Sequence, residues 1–588
     1  MRTRTAFFVL VMVAVTSALA VTTEEVAAYR KDAAAGNVEA MATLGMCCFN
    51  GDGVPQDDAR AVTWFRKAAE AGGSRGMLNL GACYYHGRGV PQDYAEAVKW
   101  FRKSADAGND EAMFNLGECY YAGLGVPQDN AEAVKWFRKA ADKGSANAMD
   151  KLGWCYALGN GVPADKAEAA KWFRKAADLG NGAAMTVLGM WYGRGEGVPK
   201  DDAEAVKWLR KAVDKGDDTA MANLGDHYLT GRGVPKDVAE AMEWYGKAAD
   251  KMNSEGMTNL AQCYARDRGV PQNRILAYKW YLLAAAMQGE ETVPAVERDK
   301  LAAKMTVPEL AEGRRLGADY FRKAAEAGNA WAMFNLGLCY DTGHGVPPDK
   351  VEAATWFRKA AEHNHSDAMT VLGMCYLNGR GITPDDAEAV KWLRKAADAG
   401  NGDAMFNLGE CYALGRGVPP DKAEAVKWFR KAAGYGSDAA MFKLGRCYAL
   451  GHGVPPDKAE AVAWFKKAAH YGNSEAMATL GVWYDTGEGV PLNRDEAWEW
   501  FQKAADKKNA EAMFRLGDLY AGNEARAKLD GMDDIASQTR VLAYMWYSLA
   551  ANNGVTPAAA ARAKATEKMT AQEIAEGRRL AAEYFRKK

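Results

Sequence analysis

Gly-Val-Pro returns at Gly53, Gly89, Gly125, Gly161, Gly197, Gly233 and Gly269, each 36 residues after the last. It resumes at Gly345 and runs through Gly417, Gly453 and Gly489, with Gly381-Ile-Thr-Pro filling the one missing place. Self-similarity at a period of roughly 20–50 residues leaves a chain few choices. Each unit is too small to bury its own apolar face, so units must stack.

One unit shows how. In NDEAMFNLGECYYAGLGVPQDNAEAVKWFRKAADK, from Asn109 to Lys143, Ala112, Met113, Leu116, Gly117 and Tyr120 follow helical spacing. The spacing predicts an amphipathic helix A over 110–122. Gly123 and Gly125 are expected to stop it, because glycine enters the left-handed region without steric cost. Pro127 breaks the ladder, and Asp129 with Glu132 has the spacing of a capping box opening a second helix, B. There Ala133, Val134, Trp136, Phe137, Ala140 and Ala141 form the apolar stripe, and Gly144 ends the helix. Gly117 and the alanines allow A and B to approach closely.

These residues carry a resemblance. LGxCYxxGxGVPxDxAEAxKWFRKAA resembles the Sel-one-like repeat (SLR) family, a relative of the tetratricopeptide repeat with a longer loop. The likeness covers most of residues 24–588. It implies an all-α fold, a right-handed superhelical α-solenoid of stacked helix-turn-helix repeats, used as an adaptor or scaffold.

In chain order, Arg2 and Arg4 precede an apolar run from Ala6 to Val15, and Ala18-Leu19-Ala20 offers a small-x-small cleavage site. Residues 1–20 read as a secretory signal peptide, cleaved after Ala20 to leave a secreted or periplasmic chain. No later run is apolar enough to span a membrane. Glu24 to Ala35 resembles a lone B helix, and seven A/B pairs follow, making 21–288 a first array. The pattern breaks at 289–328. There KMTVPELAEGRRLGADYFRK (Lys304–Lys323) anticipates KMTAQEIAEGRRLAAEYFRK (Lys568–Lys587), identical at fifteen of twenty positions. Thr306 with Glu309 and Thr570 with Glu573 have capping-box spacing. The first copy reads as an internal cap left by tandem duplication. A second array of six pairs, 329–552, ends in a degenerate repeat whose loop is placed at Asn523–Thr539, and 553–588 supplies terminal cap helices.

Most chemistry is excluded by what the sequence lacks. The formal charge of −1 becomes −3 once Arg2 and Arg4 are removed, which argues against nucleic acid, a ligand that needs a basic surface. Nine of the ten cysteines, Cys47, Cys83, Cys119, Cys155, Cys263, Cys339, Cys375, Cys411 and Cys447, share one repeat position, with Cys48 the extra one. Equivalent positions in neighbouring helices lie about a helix diameter apart, beyond the roughly 7 Å a disulfide spans, so buried thiols are expected. No C-x-x-C, H-E-x-x-H, G-x-S-x-G or phosphate loop occurs, and none of the ten serines has lysine three residues on. The histidines are scattered without paired metal-ligand spacing. No metal, cofactor or catalytic group is expected.

What remains is surface. Projection at about 100° per residue puts Phe114, Asn115, Glu118 and Ala122 on the side of helix A away from Met113 and Leu116. Asparagine recurs there at Asn79, Asn115, Asn223, Asn259, Asn335 and Asn407, with Phe114, Phe334 and Phe406 alongside. A ladder of amides could read an extended peptide backbone. A role for the same amides in steadying each repeat stands equally. The expectation is a monomeric, non-enzymatic scaffold for protein or peptide partners. The alternative is a carbohydrate-binding or envelope-polysaccharide assembly factor, for which Trp154, Trp191, Trp331, Trp483 and Trp498 would meet the sugar faces.

Overall fold

The computed structural model describes residues 21–266, 271–289, 291–530, 532–584 and 586. The leader 1–20 with its cleavage site, and the loop at Gly269, lie outside them. Thirty-one α-helices and no strand occupy the described residues. They form two compact units, the first ending at Gly313 and the second beginning at Arg314, and each is built by stacking the same hairpin.

In the hairpin that represents the first unit, helix A is Asp110–Ala122 and helix B is Asn130–Asp142. Asn109 caps A by accepting from Ala112 N, and Gly123, at φ 72°, closes it with its N–H on Cys119 O. A and B meet where Gly117 faces Phe137. A Cβ at Gly117 would lie 2.6 Å from the Phe137 ring, which is itself fully buried. Burying such a ring contributes about 1.5–3 kcal/mol. The same glycine-on-ring contact recurs at Gly45 with Phe65, Gly153 with Phe173, Gly337 with Phe357 and Gly409 with Phe429.

The second loop glycine does not stop helix A. Gly125, at φ 71°, lies against the preceding repeat, where a Cβ would overlap the Tyr94 carbonyl oxygen at the start of that repeat's helix B. Gly161 meets Asn130 O and Gly417 meets Asp386 O in the same way. Thus one glycine ends a helix and the other seats one repeat on the next.

The capping-box reading of Asp129 and Glu132 is half right. Asp129 Oδ1 accepts from Glu132 N at 2.9 Å. The Glu132 carboxylate does not return to the Asp129 N–H, which already donates to Tyr120 O. It accepts instead from Trp136 Nε1 at 3.1 Å and Lys135 Nζ at 2.8 Å. Reciprocal boxes do close at Thr22 with Glu25, Thr306 with Glu309, and Thr570 with Glu573. Adjacent repeats are further tied by an arginine of helix B that donates to a tyrosine hydroxyl of the next helix A, as in Arg66 to Tyr84 and Arg358 to Tyr376, both at 2.8 Å.

The degenerate last repeat departs from expectation. The stretch placed in a loop at Asn523–Thr539 is mostly helical, because helix A runs on over Ala510–Leu529 and the next helix is Asp533–Asn552. Glu524 to Leu529 are good helix formers, and no left-handed glycine interrupts them. Arg540 holds the extension by pairing with Glu524 at 2.9 Å. In 289–328 and 553–588 the helices are Val293–Ala302, Val307–Glu326, Thr556–Thr566 and Ala571–Tyr584.

The seating contact can be weighed against backbone conformation alone. Gly144 also has positive φ, but nothing lies within 4 Å of its would-be Cβ. Gly144→Ala should therefore cost roughly 1–2 kcal/mol from conformation only. Gly125→Ala adds a collision with backbone and should cost roughly 2–5 kcal/mol. Denaturant midpoints measured side by side test this, and equal losses would mean the loop does not bear on the preceding helix.

Candidate partner-binding face

Helix A is not amphipathic in the simple sense. Every residue from Ala112 to Cys119 is buried, including Phe114, Asn115 and Glu118 on the side expected to face outwards. The reason is stacking: helix A touches its own B and the B of the repeat before, and A helices of successive repeats flank it.

The asparagine ladder is therefore not displayed as expected. Asn79 is fully buried, and neither end of its amide has a hydrogen-bond partner. Asn115 and Asn335 are also buried. Asn335 donates to Trp331 O one turn back, and the half-buried Asn223 and Asn407 do the same to Thr219 O and Asp403 O, each at 2.9 Å. Asn259 donates across repeats to Asp226 Oδ1 at 3.2 Å. Phe114 is buried, while Phe334 and Phe406 are half-buried and lie tilted on Phe357 and Phe429 with ring centroids 5.8 and 5.9 Å apart. These nine side chains are spent largely on the chain itself.

A different polar system emerges from the same positions. The residue at the Glu118 position meets the residue at the asparagine position of the next repeat. Glu118 accepts from Lys151 Nζ at 3.0 Å, and Glu410 from Lys443 Nζ at 2.8 Å. Asp226 receives both Asn259 and the Tyr245 hydroxyl, the latter at 2.6 Å. Apolar residues fill the same two positions elsewhere, as Trp154 and Val187 or Leu338 and Val371 do. The signal was in the sequence. Lysine takes the asparagine position only at Lys151 and Lys443, each 33 residues after the only two glutamates at the Glu118 position.

Burial leaves its mark on the acids near Lys151. It raises the Glu118 carboxyl above its ordinary range even though the lysine opposes the shift. Asp150, one of whose oxygens is sealed without a partner, is pushed up to about 6 by burial, again against the pull of Lys151.

No disulfide joins the cysteines, all but Cys447 are buried, and burial pushes the thiols of Cys83 and Cys119 up to about 12. Such groups are packing residues, not nucleophiles. His365 accepts from Ala368 N at a helix start and stacks on Phe334. Among the described residues no three His, Cys, Asp or Glu side chains cluster as metal ligands. No described helix is long and apolar enough to cross a membrane. Of the tryptophans considered for sugar binding, Trp191 and Trp483 are buried and Trp331 is half-buried. Trp154 and Trp498 are 38% and 40% exposed.

The Sel1 repeat pattern matches residues 38–73, 74–109, 110–145, 146–181, 182–217, 218–251, 254–288, 314–329, 332–365, 366–401, 402–434, 438–473, 474–509 and 510–555. Among solved structures, a protective antigen present in uropathogenic Escherichia coli strains, displaying an SLR fold, is 29% identical. The match covers 93% of this chain and 97% of that one, with a TM-score of 0.41. A Sel1 repeat protein from Oxalobacter formigenes is 37% identical over 43% of this chain and 100% of its own, with a TM-score of 0.39. Comparison with curated proteins gives no significant match.

Asp150 sets a pH dependence. The folded form holds this proton more tightly than the unfolded chain, whose aspartates titrate near 3.8. Its contribution favours folding below about pH 4 and is lost as pH rises through about 6. Asp150→Asn should be more stable than the parent at pH 7.5, by roughly 2–3 kcal/mol, and should match it near pH 4. Denaturant titrations at both pH values check this; a variant no more stable at pH 7.5 would refute it.

Proposed function

Because the chain belongs to the Sel1 repeat family, we propose that it is a non-enzymatic scaffold holding a protein or peptide partner along its A helices, outside the cytoplasm once the leader at Ala20 is removed. The supporting observation is the division of labour within each repeat. The residues that hold helices together recur from repeat to repeat: Gly117 on Phe137, Arg102 on Tyr120, Trp136 on Glu132. Other residues of the A helices change. Ala122 gives way to Leu158, Arg194, Leu414 and Leu450 at the equivalent place, and the buried Glu118 to the half-exposed Trp154. A constant frame carrying a varied row of side chains suits recognition of an extended chain, which meets one repeat after another. Half-buried Asn407 and Phe406 border that row in the second unit.

Two measurements test the reading. Affinity capture from envelope extracts with the mature chain as bait should retain a saturable protein partner, with a glycan array alongside giving no comparable signal. Saturable glycan binding without any protein partner would overturn it in favour of the carbohydrate alternative. N-terminal sequencing of the chain recovered from the native host should begin at Val21; a retained Met1 would remove the export half of the proposal.

A further inference from the structure

The residue between the two loop glycines of each repeat lies beside the first residue of helix B in the repeat before. Where both are charged, the charges are usually opposite. Arg88 pairs with Asp58 at 2.7 Å, Lys166 with Glu196 at 2.8 Å, Arg416 with Asp386 at 2.8 Å, and Lys458 with Glu488 at 3.2 Å. Where this pair is Lys350 and Arg380, both are cations, and the chain supplies the missing acid itself. Asp341, a buried residue on helix A (Ala330–Thr342), takes Lys350 Nζ on Oδ1 at 3.0 Å and Arg380 on Oδ2.

Two repeats later the same seat is built without the acid. Gly381 rests on the carbonyl of Lys350, and Gly453 rests in the same way on the carbonyl of Lys422. Lys422 and His452 therefore occupy the places of Lys350 and Arg380. At the place of Asp341 stands Ala413. A cleft of about 350 Å³ opens there, lined by Ala413, Lys422, His452 and Arg446 and flanked by Leu414 and Leu450. Glu410 also lines it, but that carboxylate is committed to Lys443. The side chains of Lys422, Arg446 and His452 enter no ion pair or hydrogen bond within the described residues. At the interface between Glu118 and Leu158, which carries the same glutamate–lysine pair, Tyr121 stands in place of Ala413, and its hydroxyl accepts from Asn160 at 2.8 Å.

We propose that this cleft binds an acidic peptide, seating an aspartate or glutamate carboxylate among Lys422, Arg446 and His452 where Asp341 sits two repeats earlier. The chain thus contains a template of its own ligand. Charged partners on both sides make such hydrogen bonds shorter and stronger than neutral ones. The leucines select a peptide over a small free acid. Leu414 and Leu450 are 68% and 57% exposed, and an aliphatic residue beside the carboxylate would cover them. This inference rests on the reading that the chain holds a peptide partner, and it adds where and with what chemistry.

The probe is a fluorescein-labelled, amidated peptide of sequence Gly-Leu-Asp-Leu-Gly, with its asparagine counterpart as control, followed by anisotropy on the mature chain. The aspartate peptide should bind at least tenfold more tightly than the control. Ala413→Asp supplies the carboxylate internally, so it should weaken binding tenfold or more while raising the melting temperature. Lys422→Gln and Arg446→Gln should each weaken binding about threefold or more with the melting temperature unchanged, and they decide the matter if A413D does not fold. Cys447, the one half-buried cysteine and a lining residue, should be protected from thiol labelling by the aspartate peptide and not by the control. Equal affinity for the two peptides, or full affinity in K422Q and R446Q, would overturn the proposal. Those results would leave capture of a protein partner from envelope extracts standing, whereas loss of all such capture would remove the broader reading as well.

Discussion

The contact on which the rest depends is made by backbone, not by side chains. The second loop glycine sets the loop of one repeat directly on the first carbonyl of helix B in the repeat before, as Gly125 does on Tyr94. No residue with a Cβ fits at that distance, so the register between repeats is fixed before any side chain is chosen. The pairs that follow, Glu118 with Lys151 or Arg416 with Asp386, are consequences of that register. A buried ion pair gains little over well-packed apolar residues, and its larger effect is to penalise the wrong neighbour. Trp154 with Val187, at the same two positions as Glu118 with Lys151, is thus a different solution to one geometric problem.

Much of the fold was legible because the local signals agree with one another. Glycine ends helix A, aspartate caps helix B, and the period repeats each of these signals many times over. The misreadings came where a residue had two partners to choose between. Glu132 could return to the Asp129 N–H or go forward to Trp136, and spacing favours neither. It goes to Trp136 because the Asp129 N–H is already taken by Tyr120 O. The last repeat misled for another reason. Loss of Gly-Val-Pro suggested a loop at Asn523–Thr539, whereas loss of the stop signal lets the helix continue to Leu529.

The candidate face was less legible, and the cause is again stacking. A helical wheel knows one helix, and it assigns an outside to Asn79 and Asn115 that the neighbouring repeats close. Burial in a repeat protein is a property of the interface between units, so the informative comparison is between one repeat and the next. Read at a spacing of 33 residues, the sequence shows glutamate answered by lysine. Read at 72, it shows Asp341 answered by Ala413 and an acid gone missing. Neither pattern is visible within a single unit.

The cross-repeat pairs also bear on how such an array can change length. A gene built of near-identical segments is prone to losing or gaining one by unequal recombination. Here most of the segments look interchangeable, yet their joints are not. Deleting residues 146–181 would join the repeat that holds Glu118 to the one that holds Val187. A sealed carboxylate would then face an isopropyl group instead of an ammonium, a mismatch costing about 3–5 kcal/mol. The removal of a unit whose neighbours match would pass unnoticed by the fold. The joints therefore act as a proofreading of copy number, tolerating recombination at some boundaries and punishing it at others.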